Sequence, residues 1–201
     1  TSYEPVLAPM ALGPWRAVFY PSGLFARECF LDELAHAAGQ DPLAYRLALL
    51  PADDTEEGKV RAALARALKA AADKAGWGSP LPKGRALGLA GNVYHGMTVM
   101  AQVAEVSVDQ GNVRVHKVTV AVDCGKVVNP LGLEGQIESA VLWGMSGSLY
   151  GEITFKNGRA EQSSFADYPV PRFADAPLRL DDLAAPARST PGPPTRGAGS
   201  S

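Results

Sequence analysis

One segment constrains the fold more than any other: residues Asp123 to Gly151, which read DCGKVVNPLGLEGQIESAVLWGMSGSLYG. Asn129 is a good helix cap, and Pro130 suits the first helical position, where its missing N–H has no cost. The segment therefore predicts the end of a strand, a turn, and a helix that starts at about Leu131. Whatever else the chain forms must accommodate this helix.

The predicted helix carries apolar and small residues at helical spacing, namely Leu133, Ile137, Ala140, Val141, Gly144 and Ser148. A second set, Gly144, Gly147, Ser148 and Gly151, keeps part of the surface small, which predicts that another segment packs closely against it. The free N–H groups at the start of a helix also favour an electron-rich ligand such as a phosphate. A buried connecting helix with a capped start is the alternative interpretation.

Three helices are predicted upstream, after a Pro/Gly-rich region over residues 1–23. An apolar stripe of Leu31, Leu34, Ala35 and Ala38 ends at Gly39, and Asp41-Pro42 restarts a helix, so this part predicts a helical hairpin. The third helix opens at Asp53 or Thr55 and ends near Gly76. In the first region, Arg16 follows a Pro-Trp step, and its planar fork could hold a phosphate or carboxylate, although a surface ion pair is the commoner role.

Valine-rich segments on both sides of Gln110-Gly111 predict a long β-hairpin. A two-residue turn there pairs Val108 with Val113 and Val106 with Val115, and farther out it pairs Val103 with Val118 and Val99 with Val122. The apolar alternation shifts phase near the rungs Ala104–Lys117 and Glu105–His116. Either the hairpin changes its buried face there, or it contains a bulge. Glu105 opposite His116 predicts a charge pair more than an acid/base pair.

The sequence after the central helix favours a second hairpin at Lys156 to Arg159, where Asn-Gly suits a type I′ turn. Beyond Pro177 the composition becomes rich in Pro, Gly, Ala and Ser, which predicts a disordered or altered tail. Together these patterns predict an α+β fold in three parts: a loop and helical segment over 1–78, a β-rich segment with the central helix over 79–177, and the tail over 178–201.

Composition excludes several function classes. The net charge of −2 gives no basic field for nucleic acid, and no stretch reaches the roughly 18 apolar residues of a membrane span. Cys29 and Cys124 lie far apart with no His at ligand spacing, so neither a disulfide framework nor a protein-held metal site is predicted. The start lacks a signal peptide, and the chain has the character of an excerpt from a longer protein. Compartment stays open between cytoplasmic and periplasmic.

The DCG…NP…GQIE…G block, together with VAEVSVDQGNVRVHKVTVAVD before it and GEITFKNGRAEQSSFADYPVPRFADAP after it, resembles the molybdenum-binding large subunit of the xanthine dehydrogenase/aldehyde oxidase family. It is most similar to the isoquinoline 1-oxidoreductase β-subunit branch. The resemblance runs from about Gly13 to Pro177. It implies a molybdopterin-binding domain and the oxidative hydroxylation of an aldehyde or an N-heterocycle.

The resemblance also implies a cofactor, partners and site residues. The cofactor is molybdenum–molybdopterin, often in its cytosine dinucleotide form, and it holds the metal without protein ligands. Electrons leave through [2Fe-2S] clusters on an iron–sulfur small subunit, and the remainder of the large subunit completes the cradle. Arg16, Gly135 and Gln136 match cofactor-contacting positions. A neutral amide such as that of Gln136 donates to cofactor oxygens without adding charge.

One expected feature is missing. The family continues after the YPV…P segment into a glycine-rich loop whose glutamate is the general base, and nothing beyond Pro177 matches it, so no catalytic residue is predicted here. Two alternatives to the enzyme interpretation therefore remain: a non-catalytic remnant or interaction protein of the same fold, and an unrelated α+β binding module. The first interpretation predicts that Arg16 and Gln136 face one cavity.

Overall fold

The computed structural model describes Gly13, Arg16 to Val18, residues 20–177, and the backbone of residues 180–184. The elements in chain order are helices α1 (Tyr20–Ala37), α2 (Pro42–Ala48) and α3 (Glu56–Ala75), strands β1 (Arg85–Tyr94), β2 (Thr98–Asp109) and β3 (Asn112–Asp123), helix α4 (Pro130–Leu149), the short strands β4 (Phe155–Lys156) and β5 (Arg159–Ala160), a 3₁₀ turn (Phe173–Asp175) and strand β6 (Leu180–Ala184). The predicted α+β architecture is confirmed.

The main sheet has the order β1-β2-β3-β6. Its first three strands are antiparallel neighbours, and β6 joins the edge of β3 in parallel. The predicted loose tail therefore contains a strand at its beginning, and the rest of the tail lies outside the described residues. The boundary predicted near residue 78 falls in the connector between α3 and β1, and as a domain division it stays a prediction.

Helix α3 forms the larger core with one face of the sheet. Alanines on one stripe of the helix let it approach the strands closely, and the buried residues of this core are Ala63, Ala67, Leu68, Ala71, Leu89, Val99, Ala101, Val103 and Ala121. Gly91 in β1 is part of the fit, because a Cβ atom there would lie 3.0 Å from Cδ2 of Leu68. The helix begins at the cap Thr55 and ends at Gly76, whose φ is 75°, as the sequence predicts.

Helix α4 packs on the opposite face. Val118, Val120 and Val122 point to this side of β3, because side chains alternate along a strand, and they form a second core with Val141 and Met145. The sheet is therefore covered by α3 on one face and by α4 on the other. Strand β3 is buried on both faces from Val118 to Asp123.

The hairpin of β2 and β3 is confirmed at its turn and corrected farther out. Val108 pairs with Val113 and Val106 with Val115, and Gln110 and Gly111 have the positive φ values of a two-residue turn. Beyond Glu105 the register shifts by one, so that Val103 faces Thr119 instead of Val118. A bulge that leaves His116 outside the ladder causes the shift, because one extra residue in β3 restores its alternation to match β2.

The expected Glu105–His116 pair is wrong for the same reason. Glu105 lies opposite Lys117 in the ladder, and its carboxylate forms an ion pair with Arg85. The ring Nε2 of His116 hydrogen-bonds to Oγ of Ser107 at 2.7 Å. The expected pair of valines at Val99 and Val122 is also wrong, since Val99 lies opposite Asp123.

Helix α1 begins earlier than the sequence predicts, at Tyr20 instead of near residue 30. A buried ionic network holds it in place: Arg46 of α2 donates to Glu28 Oε2 at 3.1 Å and to the main-chain oxygen of Glu28 at 3.0 Å. The backbone N–H of Gly91 donates to the same carboxylate at 3.1 Å. The network ties α1 and α2 to β1, so the N-terminal helices belong to the body of the molecule.

Candidate functional site

The candidate site lies on the outer face of α4, the face turned away from the sheet. Asn129 caps the helix by accepting a hydrogen bond from the N–H of Gly132 at 3.1 Å, and Pro130 occupies the first turn, both as predicted. Val141 and Met145 fix the rotation of the helix by burying one stripe in the core. Gln136 points to the other side and is exposed.

Trp143 lies on the same stripe as Gln136. Residues seven positions apart in a helix share one side and are separated by about 10 Å along the axis. Trp143 is 45% exposed, so nearly half of its surface is accessible to solvent. No carboxylate of α4 belongs to this stripe, whose remaining members are Gly132, Ser139, Ala140 and Gly147.

Arg16 reaches this stripe from the N-terminal segment. Its guanidinium carbon lies 4.4 Å from the centroid of the Trp143 ring, a distance typical of a cation–π contact. Arg16 and Gln136, which are about 120 residues apart in sequence, are thereby brought to one surface of one helix. They do not map to opposite surfaces, which is the arrangement that would contradict the cofactor interpretation.

The turn after Arg16 has an unusual backbone. Ala17 and Val18 have φ values of 59° and 49°, in the left-handed region that a β-branched residue rarely adopts. The turn is closed by a hydrogen bond from the N–H of Tyr20 to the carbonyl oxygen of Ala17 at 2.9 Å. Such conformations cost about 1–3 kcal/mol each and persist where surrounding contacts enforce them.

Tyr20 supplies one of those contacts. Its hydroxyl oxygen accepts a hydrogen bond from the backbone N–H of His95 at 3.1 Å, and its ring lies 4.7 Å from that of Tyr94. The ring of His95 packs edge-on to that of Tyr94. The N-terminal segment is therefore fixed at the turn between β1 and β2 through Tyr20 and at α4 through Arg16.

Gly135 lies on an adjoining side of α4 and is exposed. A Cβ atom added there would meet no atom within 4 Å, so the fold of the chain does not require a glycine at this position. The same holds for Gly144. Gly144 therefore shows none of the close packing that the sequence predicts for this face, whereas at Gly151 an added Cβ would lie 3.1 Å from the hydroxyl oxygen of Tyr168.

The far end of α4 joins the C-terminal loops. The backbone N–H groups of Tyr150 and Gly151 both donate to the carbonyl oxygen of Ser146, which ends the helix. Burial, together with the nearby carboxylate of Asp175, raises the pKa of Tyr150 above its ordinary value. The Tyr150 hydroxyl therefore stays neutral at physiological pH, and it serves here as a structural contact.

Two absences hold for the described part of the chain. No group of three or more His, Cys, Asp or Glu side chains is placed to hold a metal ion. No helix there combines the length and the apolar character that crossing a membrane requires.

The backbone of Asp181 lies in β6, at the edge of the sheet, opposite Thr119.

The donor set on α4 fits an anionic, oxygen-rich cofactor. Arg16 offers a permanent positive charge and in-plane N–H donors, Gln136 offers a neutral donor and acceptor, and Gly135 leaves open space beside them. Among the described residues, Gln136 and Gly135 are exposed. Sequence reasoning identified Arg16, Gly135 and Gln136 but missed Trp143, although its spacing from Gln136 was available as a signal.

Comparison with known proteins adds three findings. The profile of the molybdopterin cofactor-binding domain matches residues 38–177. A membrane-bound aldehyde dehydrogenase of Gluconacetobacter polyoxogenes, named for pyrroloquinoline quinone, is 38% identical over 75% of this chain and 21% of its own length. The isoquinoline 1-oxidoreductase β subunit of Brevundimonas diminuta is 32% identical over 76% of this chain and 19% of its own length.

A solved structure of the Cu,Mo-CO dehydrogenase in its carbon monoxide reduced state is similar over 44% of this chain and 12% of that chain, with 23% identity and a TM-score of 0.41. The chain spans about a fifth of the length of the aldehyde dehydrogenase and of the isoquinoline 1-oxidoreductase β subunit.

Proposed function

The chain belongs to the molybdopterin cofactor-binding domain family, and on that premise we propose that it forms one wall of the cofactor cradle in the large subunit of a molybdenum hydroxylase. The observation that carries the proposal is the contact of Arg16 with Trp143, which lies on the same side of α4 as the exposed Gln136. Two residues that the family resemblance assigns to the cofactor share a surface that the fold of this chain leaves open.

The proposed reaction is the oxidative hydroxylation of an aldehyde or an N-heterocycle. Two relatives support both classes, since one is an aldehyde dehydrogenase and the other is a subunit of an isoquinoline 1-oxidoreductase. The bound cofactor supplies the oxidising metal centre, for which we propose the cytosine dinucleotide form. The partner that would accept electrons is an iron–sulfur small subunit with [2Fe-2S] clusters, and the remainder of the large subunit would supply the other walls.

The residues of this chain hold and orient the cofactor. Arg16 binds an anionic oxygen group through two parallel N–H donors, a geometry that suits phosphate. Gln136 donates its amide N–H to a cofactor oxygen and accepts a hydrogen bond with its carbonyl oxygen. Gly135 lets the cofactor approach the backbone of α4. None of the three moves a proton, and the general base lies outside these roles.

A non-catalytic role for the same fold is the second candidate. It is favoured by the α4 stripe, which holds no carboxylate that could act as a base. The intact mass of the native polypeptide separates the two candidates first. A mass several times the 21.1 kDa of these residues supports a full large subunit, whereas an equal mass favours the non-catalytic role.

The direct test is the molybdenum content of the purified native polypeptide with its partners, by elemental analysis and cofactor extraction. Gln136→Leu is expected to weaken cofactor retention about tenfold, since it removes one or two hydrogen bonds and keeps a helix-compatible volume. Glu138→Leu is the matched control, because it changes an exposed polar residue on another side of α4 and should leave the content unchanged. Unchanged molybdenum in Gln136→Leu, or extraction of a quinone cofactor instead of a pterin, would contradict the proposal.

A further inference from the structure

We infer that Trp143 is a positioning residue for the cofactor: its indole holds the guanidinium of Arg16 flat against the outer face of α4, on the same side as Gln136. The inference rests on the proposed function and extends it to a residue that the family resemblance does not assign. Its basis is the 4.4 Å distance from the guanidinium carbon of Arg16 to the Trp143 ring centroid.

Stacking leaves the binding edge of the guanidinium available. A guanidinium that lies parallel to an aromatic ring keeps its in-plane N–H donors free, and the 4.4 Å distance to the Trp143 ring suits this arrangement. A guanidinium held in this way is already oriented for a phosphate or another oxygen anion, so less side-chain freedom is lost when the ligand binds. Trp143 thus acts through Arg16 and does not need to touch the cofactor.

The position of Trp143 argues against a role in the core. It lies on the side of α4 opposite Val141 and Met145, and nearly half of its surface is exposed. A large aromatic residue on an otherwise small stripe of Gly132, Ala140 and Gly147 is not required for packing on the sheet. Its described partner on this face is the side chain of Arg16.

The backbone of the Arg16 turn supports the same inference. Two consecutive non-glycine residues, Ala17 and Val18, occupy the left-handed region directly after Arg16. Strain of this kind is maintained by contacts on both sides, here Tyr20 with His95 and Arg16 with Trp143. The segment is therefore held at two points, and Trp143 provides the one that fixes the charged group.

The experiment compares four variants in the complete native polypeptide, purified with its partners: Trp143→Leu, Trp143→Phe, Arg16→Gln, and the double variant of Arg16→Gln with Trp143→Leu. The readout is the molybdenum-to-protein ratio during dialysis, which gives relative cofactor retention. Trp143→Leu is expected to weaken retention about two- to fivefold, the size of an exposed cation–π contact. Trp143→Phe keeps an aromatic face and should retain most of the wild-type value.

The double variant tests whether Trp143 acts through Arg16. If it does, Trp143→Leu has no further effect once Arg16 is Gln, because the coupled pair is already broken. A second, cofactor-independent readout is the ¹⁹F resonance of 5-fluorotryptophan at position 143, assigned by its loss in Trp143→Phe. This resonance is expected to move in Arg16→Gln.

The outcomes separate the inference from the proposed function. If Arg16→Gln and Gln136→Leu both leave molybdenum retention unchanged, the proposed function is wrong, whatever Trp143 does. If Arg16→Gln weakens retention but Trp143→Leu does not, only the positioning role is overturned. Equal losses in Trp143→Leu and Trp143→Phe, or additive losses in the double variant, would also overturn it, because they indicate a role independent of the stacked guanidinium.

Discussion

Helices α3 and α4 have the same length, 20 residues, and cover opposite faces of the same sheet, yet they are buried very differently. Six residues of α3 are buried and only two of α4, although α4 is the more apolar helix. Helix α3 presents one apolar stripe to the sheet and polar residues to solvent. Helix α4 carries apolar or small residues on every side, but only one side is buried against the sheet.

Among the described residues, the apolar stripe of α3 is covered by the sheet, whereas α4 is covered on one side only. A helix that is apolar all round is normally buried on all sides. The open side of α4 is the side that carries Gln136, Trp143 and the stacked Arg16. Among the described residues, burial is therefore concentrated on α3, and the candidate site lies on the more exposed helix.

The most direct test of the difference in burial is to introduce the same charge into both helices. Ala67 in α3 is fully buried, and Ala140 in α4 is exposed. Ala67→Asp is expected to lower the free energy of unfolding by more than about 3 kcal/mol, because it buries a carboxylate without a partner. Ala140→Asp should cost less than about 1 kcal/mol, the difference in helix propensity.

Urea unfolding of both variants, followed by circular dichroism, measures the two values. Ala67→Asn serves as the control for volume, since it adds a similar side chain without the charge. A loss for Ala140→Asp as large as that for Ala67→Asp would mean that the outer face of α4 is buried in solution, and the contrast between the helices would be lost.

The sequence predicted the limits of α3 well and the start of α1 poorly. The limits of α3 follow from a threonine cap and a terminal glycine, which are local signals that tertiary contacts did not override. The start of α1 was placed too late because Pro21 and Gly23 read as loop residues, while the buried network of Glu28 and Arg46, which no local pattern reveals, holds that part as helix.

The candidate site shows the same division. Arg16, Gly135 and Gln136 came from the family resemblance, since one exposed amide and one arginine have no sequence signature of their own. The contact of Arg16 with Trp143 joins two segments about 127 residues apart, and no periodicity links them. The bulge at His116 was detectable as a shift in the alternation of apolar residues, but a change of the buried face explained the same pattern equally well.

A second test replaces one glycine beside α3 and one glycine in α4 with valine. Gly91→Val should destabilise the chain by about 1–3 kcal/mol, because its Cβ would lie 3.0 Å from Leu68 and 3.1 Å from Leu64 in the α3 core. The same change at Gly144 meets open space, so the effect expected in this chain is within about 0.5 kcal/mol. This reverses the expectation from the sequence that Gly144 is packed.

Thermal unfolding of the two valine variants measures the difference, and Gly144→Ala controls for helix propensity alone. If Gly144→Val lowers the midpoint as much as Gly91→Val does, the small face of α4 is packed after all. If only Gly91→Val does so, any loss caused by Gly144→Val in the complete polypeptide arises from segments beyond these residues.

The smallest predicted effect concerns the N-terminal caps, which differ in charge. The pKa of Asp53, before α3, is lowered chiefly by the hydroxyl of Thr55, then by the N–H of Thr55 and by Arg61. A lowered pKa means that the ionised carboxylate supports the cap above its ordinary pKa and that this support is lost as the pH falls below about 4. The α4 cap uses the amide of Asn129, which does not titrate in that range, and α4 has no acid in its first turn.

Amide hydrogen exchange between pH 5 and pH 3, corrected for the intrinsic rates, compares the two caps within one molecule. Protection of the Gly58 N–H, which donates to the hydroxyl of Thr55, is expected to fall over this range, whereas that of the Gly132 N–H, which donates to Asn129, stays constant. Asp53→Asn should remove the pH dependence at Gly58, and Asp54→Asn should leave it in place. Of the two caps compared, only that of α3 contains a carboxylate whose protonation weakens it. An equal fall at both amides would therefore show that acid loosens the whole molecule.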